Sequence, residues 1–330
     1  MPAFPADGGS VRRRTATEQR RQHPRPTPVD RRATGAGRSP TAGTPNRIDL
    51  QVISHTPPAA QQLEPAESVP LARKANDQLA AAVDAHPDRF VGFATLPTSD
   101  PAAAADELER TVTEHGFVGA LVGSTLGTNG AFLDDPRFEP LLDRAERLGV
   151  PIYLHPGGAA RRPEGDPVRG AGAGHGRAAG HRGWGWHAEA GLHALRMVVS
   201  GVFERHPGLR LMLGHGGEML PFMLARIDDG AALVETGLTS PPSDYFLRNV
   251  WVTTSGWFTL PPVLLAIDVL GVDRVLFSVD YPYSLNTRGR ALLDKLELAP
   301  ADRDKIAGGN AQRLLGLPEQ PSEEKAVQRA

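Results

Sequence analysis

The stretch Tyr153-Leu154-His155-Pro156-Gly157 is an apolar run of strand character that ends in one histidine and then breaks at proline and glycine. Two later stretches repeat this pattern with a His or an Asp at the break: Leu213-Gly214-His215-Gly216-Gly217-Glu218 and Phe277-Ser278-Val279-Asp280-Tyr281-Pro282. Polar residues at the C-terminal ends of successive buried strands form the active site of a (β/α) barrel. Two histidines and an aspartate placed in this way predict a mononuclear metal centre with an acid–base partner.

Apolar runs of strand length recur from residue 47 onward, and helical patterns lie between most of them. Seven such runs are present: 48–53, 90–96, 117–122, 150–154, 209–214, 250–254 and 274–279. Alternating strands and helices predict a parallel sheet covered by helices. A closed barrel of this type needs eight strands. We therefore predict an α/β fold, a TIM-type (β/α)8 barrel whose first strand is missing or unrecognisable before residue 48.

Composition divides the chain into an arm, a barrel and a tail. Residues 1–46 contain nine Arg, no Lys and seven Pro, a mixture that predicts disorder because little apolar area can be buried. Three interpretations of this arm stay open: a solvated tail, a binder of nucleic acid or an anionic surface, and a misassigned start. The barrel is assigned to 47–317, with a biased loop at 158–183 and a flexible tail at 318–330.

Bulk properties exclude several classes of protein. The 330 residues carry a formal net charge of −2 and no cysteine, so a thiolate metal site, a cysteine nucleophile and a general polyanion binder are ruled out. No apolar run approaches the roughly 18–20 residues of a membrane span, and the N-terminus has no apolar signal region. We expect a cytoplasmic protein with no membrane partner and no specific nucleic-acid partner.

His155 and Asp280 are the candidate metal ligands. A neutral imidazole and a carboxylate are good ligands for Zn²⁺ or Mn²⁺. A single histidine at a strand end is often structural, but the other strand-end residues favour a ligand here. Asp280 follows a buried strand, where an acidic group needs a metal or hydrogen-bond partners, and it can also move a proton. The alternative is that Asp280 caps the next helix.

His215 is the candidate acid–base residue, because an imidazole titrates near neutrality. Glu218 either fixes the tautomer of His215 by a hydrogen bond or favours the N-terminus of the next helix electrostatically. We assign both of these residues, together with Asp280, to catalysis. The other histidines near the motifs, His187 and His193, are interpreted as packing or capping residues.

Arg226 lies on the helix that follows the His215 motif. A guanidinium can bind a substrate carboxylate through two parallel hydrogen bonds, so we assign Arg226 to substrate binding. The alternative is an ion pair with Asp228 or Asp229.

Residues 184–316 resemble the amidohydrolase-related branch that contains aminocarboxymuconate-semialdehyde, γ-resorcylate and 2,3-dihydroxybenzoate decarboxylases. With the outlying pieces, the resemblance covers about four-fifths of the chain. The matching pieces are Asp49-Leu50-Gln51-Val52-Ile53-Ser54, Leu154-His155-Pro156, Gly191-Leu192-His193-Ala194-Leu195-Arg196, His206-Pro207, Gly214-His215-Gly216-Gly217-Glu218, Ala225-Arg226-Ile227-Asp228, Thr253-Thr254-Ser255-Gly256, Phe277-Ser278-Val279-Asp280-Tyr281-Pro282 and Gly309-Asn310-Ala311.

The resemblance implies a (β/α)8 barrel of the metal-dependent hydrolase superfamily with a divalent metal, most often Zn and sometimes Mn or Mg. It implies that His155 and Asp280 are metal ligands, that His215 is the catalytic histidine and that Arg226 contacts substrate. The family's first-strand pair, His-x-His or Glu-x-His, has no counterpart before residue 48. Because two protein ligands hold a metal less well than four, we expect weak metal binding.

Three functions follow as expectations. The first is a metal-dependent carboxy-lyase acting on a small aromatic or unsaturated carboxylic acid, with Asp280 or His215 protonating the carbon that bears the carboxylate. The second is a metal-dependent hydrolase of an ester, lactone or amide. The third is a catalytically impaired, incomplete barrel without the first ligand pair. The resemblance also implies a homodimer or higher homo-oligomer.

Overall fold

A computed structural model describes residues 48–157 and 183–318. The predicted arm 1–46, nearly all of the loop 158–183 and the tail after 318 lie outside these described residues, so those assignments stay predictions. Among the described helices, none has both the length and the apolar character that crossing a membrane requires.

The strands occur where the apolar runs predict them. The segments are β1 Gln51–Ile53, β2 Phe90–Gly92, β3 Ala94–Thr95, β4 Ala120–Gly123, β5 Ile152–His155, β6 Leu211–Leu213, β7 Val250–Thr253 and β8 Val275–Leu276. Only Phe93 separates β2 from β3, and its N–H donates to the carbonyl of Ile53. These two segments therefore form one of the seven predicted strands.

All strand pairs are parallel, and neighbours in the sheet are neighbours in the chain. Strand β1 pairs with β2, while β3 to β8 form a six-stranded sheet in sequential order. This order is that of a barrel wall, in which each strand is followed by a crossover. Across residues 48–157 and 183–318, no strand closes the sheet between β8 and β1. A (β/α)8 barrel has one further strand at this position, and the predicted missing first strand would lie outside the described residues.

Helices cover the outside of the sheet. They are α1 Pro65–Ala85, α2 Pro101–His115, α3 Glu139–Leu148, α4 Gly185–Val199, α5 Val202–Arg205, α6 Leu220–Ala231, α7 Pro242–Asn249, α8 Leu260–Leu270, α9 Asn286–Lys295, α10 Pro300–Asp304 and α11 Asn310–Leu315. Helix α2 begins as its sequence predicts, because the Asp100 side chain accepts from the N–H of Ala103 and a proline occupies the first turn. It ends at Gly116, which is left-handed.

Two predicted helices are broken. The sequence predicts one long helix over 188–203, but Gly201 at φ 75° separates α4 from α5. The final predicted helix, 301–315, contains a π-helical turn, Lys305–Gly309, between α10 and α11. Hydrophobic periodicity continues through both breaks, so it does not reveal them.

Alternation along the strands sorts side chains between two buried layers. Ile152 and Leu154 pack outward with the helices, whereas Tyr153 packs inside the sheet. In the strand register, Tyr153 lies beside Leu121 on β4 and Met212 on β6. Met212 in turn lies beside Trp251 on β7, so these side chains form one inward-facing row. Burying these side chains contributes about 25 cal/mol for each Å² of apolar surface. Because His155 lies two residues after Tyr153, its side chain is directed to the inner, C-terminal rim.

Candidate active site and metal centre

His155 ends β5 with a defined tautomer. Its ring stacks on that of Tyr153, at 6.3 Å between centroids and 29° between planes. The Nδ1 atom lies 2.8 Å from the carbonyl oxygen of Pro156. Because a carbonyl only accepts, Nδ1 carries the proton and Nε2 keeps its lone pair. That lone pair is the one a metal ion uses.

Asp280 faces His155 from the end of the last strand. Its Oδ1 lies 3.9 Å from His155 Nε2, and the two side chains are 17% and 19% exposed. One imidazole nitrogen and one carboxylate oxygen on the same rim form a donor set that suits a divalent transition metal. His155 and Asp280 are therefore two described residues that could hold such an ion.

His215 and Glu218 form a buried acid–base pair after β6. The Glu218 side chain is 0% exposed, and its Oε1 lies 2.7 Å from His215 Nδ1. Because a carboxylate only accepts, His215 donates from Nδ1, and its Nε2 keeps the lone pair. Of the two roles that the sequence leaves open for Glu218, the structure contains the hydrogen bond to the imidazole.

The loop that carries this pair has an unusual backbone. His215, Gly216, Gly217, Glu218 and Met219 all have positive φ, between 49° and 85°. For residues other than glycine this conformation costs roughly 1–3 kcal/mol each and persists only where surrounding contacts impose it.

Contacts from the next strand impose this conformation. The N–H of His215 donates to Ser255 Oγ at 3.1 Å, and the N–H of Gly216 donates to the Thr253 carbonyl at 2.8 Å. A Cβ at Gly214 would lie 3.1 Å from the Tyr153 hydroxyl and 3.4 Å from Glu218 Oε1, so a side chain there would crowd the hydroxyl. Backbone strain at His215 and Glu218, an imidazole and a carboxylate in hydrogen-bond contact, favours a functional role for this pair.

A hydroxyl network lies beneath the pair. Tyr153 Oη is 3.1 Å from Thr253 Oγ1, which is 2.9 Å from Ser255 Oγ. Burial raises the pKa of Tyr153 to about 12, so its phenol stays protonated and neutral at physiological pH. The network thus positions the loop without adding charge beside Glu218.

The His155–Asp280 pair and the His215–Glu218 pair face each other across the rim. The rings of His155 and His215 are 5.6 Å apart between centroids, with 61° between their planes. The structure therefore brings together His155, His215, Glu218 and Asp280, four of the residues predicted from the sequence.

His187 joins these residues, contrary to its interpretation as a packing or capping residue. Its Nδ1 lies 2.6 Å from Glu218 Oε2, and its ring centroid is 4.7 Å from that of His215. Donor atoms of His187, His215 and Glu218 all lie within 4.8 Å of one another. His187 lies on α4 and follows no strand, so no strand-end pattern in the sequence reveals it.

His193 is a packing residue, as its sequence context indicates. Its side chain is buried on α4, with Nδ1 donating to the Ser124 carbonyl and Nε2 accepting from the N–H of Leu133, both at 2.8 Å. Burial lowers the pKa of His193 to about 4. The ring is therefore neutral in the folded protein and ties α4 to the segment after β4.

Arg226 is not brought to this cluster in the described chain. It is exposed on α6, and Asp228 on the same helix accepts hydrogen bonds from Ser243 rather than pairing with it. The substrate-binding role of Arg226 stays a prediction.

Comparisons with known proteins identify the family of this chain. The Amidohydrolase family model matches residues 22–317. The γ-resorcylate decarboxylase of Rhodococcus jostii (strain RHA1) is 41% identical over 284 residues, which are 82% of this chain and 84% of that protein.

Solved structures extend the similarity to three dimensions. A 2,6-dihydroxybenzoate decarboxylase from Rhizobium matches with a TM-score of 0.75 at 36% identity, covering 82% of this chain and 85% of that one. A dihydroxybenzoic acid decarboxylase from Polaromonas sp. JS666, with bound manganese and the inhibitor 2-nitroresorcinol, matches with a TM-score of 0.75 at 37% identity, covering 83% and 84%. These matches confirm the predicted fold and support a divalent metal. The chain belongs to the amidohydrolase family.

Proposed function

We propose that the protein is a metal-dependent decarboxylase of a small carboxylic acid, with hydroxybenzoates as the preferred class. The observation that carries this proposal is the His215–Glu218 pair, which lies opposite the His155–Asp280 donor pair on one rim. The relatives support it, since those with similar chains are named as decarboxylases of γ-resorcylate and 2,6-dihydroxybenzoate. We therefore choose 2,6-dihydroxybenzoate as the first substrate to test.

His155 and Asp280 would hold the metal ion. When bound, a divalent ion stabilises negative charge that develops on substrate oxygens. We propose zinc as the first choice, because an imidazole-containing site binds Zn²⁺ more tightly than Mn²⁺ in the usual order of affinities. Manganese, which a related structure contains, and magnesium are the alternatives.

His215 moves the proton in the proposed reaction. With Nδ1–H held by Glu218, a proton on Nε2 passes to the ring carbon that bears the carboxylate. The bond from that carbon to the carboxylate then breaks, its electron pair returns to the ring, and CO₂ leaves. The buried Glu218 carboxylate stabilises the imidazolium that exists before the transfer. Asp280, across the rim, is the alternative donor of this proton.

The test is a product analysis in D₂O. The purified protein is loaded with Zn²⁺, Mn²⁺ or Mg²⁺ and mixed with 2,6-dihydroxybenzoate. We expect one CO₂ for each resorcinol formed, with one deuterium on the carbon that carried the carboxylate. His215→Gln should abolish product with every metal. Turnover of esters or lactones to an acid and an alcohol, without any CO₂, would instead establish the hydrolase.

One observation favours the impaired barrel as a second candidate. The residues before 48 contain neither His-x-His nor Glu-x-His, so no recognisable first-strand pair completes the metal site. Elemental analysis separates the two candidates. About one metal equivalent per chain after loading supports the enzyme, whereas no bound metal supports the impaired barrel.

A further inference from the structure

We propose that His187 is a positioning residue that holds the Glu218 carboxylate in the orientation required by His215. We call the arrangement His187–Glu218–His215 the carboxylate clamp. The catalytic significance of the clamp rests on the proposed decarboxylase function, but its existence as a hydrogen-bonded unit does not.

The clamp uses both oxygens of one buried carboxylate. Glu218 Oε2 accepts from His187 Nδ1 at 2.6 Å, and Oε1 accepts from His215 Nδ1 at 2.7 Å. The Glu218 side chain is 0% exposed, so water does not replace either donor. A buried acceptor that loses its donor carries an uncompensated desolvation cost, which is larger when the acceptor is charged. Without His187, the carboxylate would rotate or shift to recover a second donor, and Oε1 would no longer be fixed against His215.

Helix α4 holds His187 at a fixed distance from this carboxylate. A Cβ added at Gly191 would lie 2.8 Å from the Glu218 carbonyl oxygen, so the helix packs directly on the loop that carries Glu218. His193, further along α4, is bonded at both ring nitrogens to the segment 124–133. The helix therefore presents His187 from a rigid base, as a residue that orients a catalytic group requires.

Hydrogen bonding explains the clamp better than a metal ion between the same three residues. The two contacts have the lengths of charge-assisted hydrogen bonds, and together they occupy both carboxylate oxygens and both Nδ1 atoms. The Nε2 atoms of the two rings are not needed for the clamp. Because three possible ligand atoms lie within 4.8 Å of one another, the metal content of the variants has to be measured as well.

Two variants separate positioning from packing. His187→Asn places an amide N–H close to the position of Nδ1 and keeps a donor for Glu218, whereas His187→Leu has similar bulk and no donor. We expect His187→Leu to lower kcat by about 10- to 100-fold, the usual effect of losing a partner of a catalytic residue, with KM changed less than about twofold. His187→Asn should recover most of that loss. Equal loss in both variants would overturn the proposal.

A spectroscopic measurement tests the clamp independently of turnover. Imidazole protons in short bonds to a carboxylate give downfield ¹H resonances, and we expect two in the wild-type protein. His187→Leu should lose one and shift the other, while His215→Gln should lose the other. Two outcomes would contradict the clamp. One is a single downfield resonance in the wild-type protein, and the other is a His215 resonance whose chemical shift is the same in His187→Leu as in wild type. If the wild-type protein releases no CO₂ while both resonances are present, the proposed function fails and the clamp stands.

Metal content provides the remaining control. We expect His187→Leu to bind the same number of Zn²⁺ equivalents as the wild-type protein after loading and dialysis. Loss of one equivalent would show that His187 is a metal ligand, which would overturn the positioning role. Circular dichroism of each variant confirms that the fold is retained.

Discussion

At the scale of single residues, Glu218 offers the sharpest test of the acid–base pair. In Glu218→Gln, one of the two carboxylate acceptors becomes an amide N–H, so the two Nδ1 donors compete for a single oxygen. One imidazole must then change tautomer or lose its bond. We expect kcat to fall by about 10²–10⁴, the range in which acid–base groups contribute, while the melting temperature changes little because a buried charge is also removed. A kcat within twofold of wild type would count against the pair.

The residues of the site differ in how visible they are in the sequence. His155, His215 and Asp280 each follow an apolar run and precede Gly or Pro, a pattern that marks the C-terminal rim of a barrel. Glu218 is three residues from His215, so its pairing is local. His187 reaches Glu218 only because α4 packs against the loop after β6. Such a contact depends on tertiary packing, and sequence patterning does not contain it.

At the scale of elements, His193 holds α4 to the segment after β4. Because its buried ring is neutral, the stability of the protein depends on pH. Burial lowers the pKa of His193 from 6.5 to about 4, so the unfolded chain binds a proton that the folded protein does not. Stability is then fully present above pH 6.5 and is lost as the pH falls from 6.5 to 4. The contribution is on the order of 3 kcal/mol for a shift of this size.

Denaturant unfolding of His193→Gln checks this dependence. We expect the variant to be less stable than wild type at pH 7.5, because the ring no longer bridges Ser124 and Leu133. Between pH 6.5 and 4.5, however, its free energy of unfolding should fall less steeply than that of wild type. Parallel pH profiles for the two proteins would show that His193 titrates normally in the fold.

At the scale of the whole molecule, hydrophobic patterning predicts the strands and their parallel order. It does so because each strand is apolar along its length and breaks at polar or turn residues. The breaks at Gly201 and at Lys305–Gly309 were not predicted, since both lie inside stretches whose helical periodicity continues. The strand that a (β/α)8 barrel requires between β8 and β1 has no counterpart in this patterning, because residues 1–46 offer no apolar run.

The missing strand among residues 48–157 and 183–318 bears directly on the metal centre. The predicted ligands on the described strands are His155 on β5 and Asp280 after β8, so binding should be weaker than at a site with four protein ligands. We expect His155→Ala and Asp280→Asn each to abolish stoichiometric zinc binding in equilibrium dialysis with elemental analysis, because each variant keeps only one of the two donors.

His206→Asn is the matched control, and it should leave zinc binding unchanged. His206 precedes β6 and bonds to Glu139 and Glu146, whereas His215 follows β6, so the two histidines lie at opposite ends of that strand. Retention of one zinc equivalent in both ligand variants would place the ion elsewhere in the molecule and refute this pair as the metal centre.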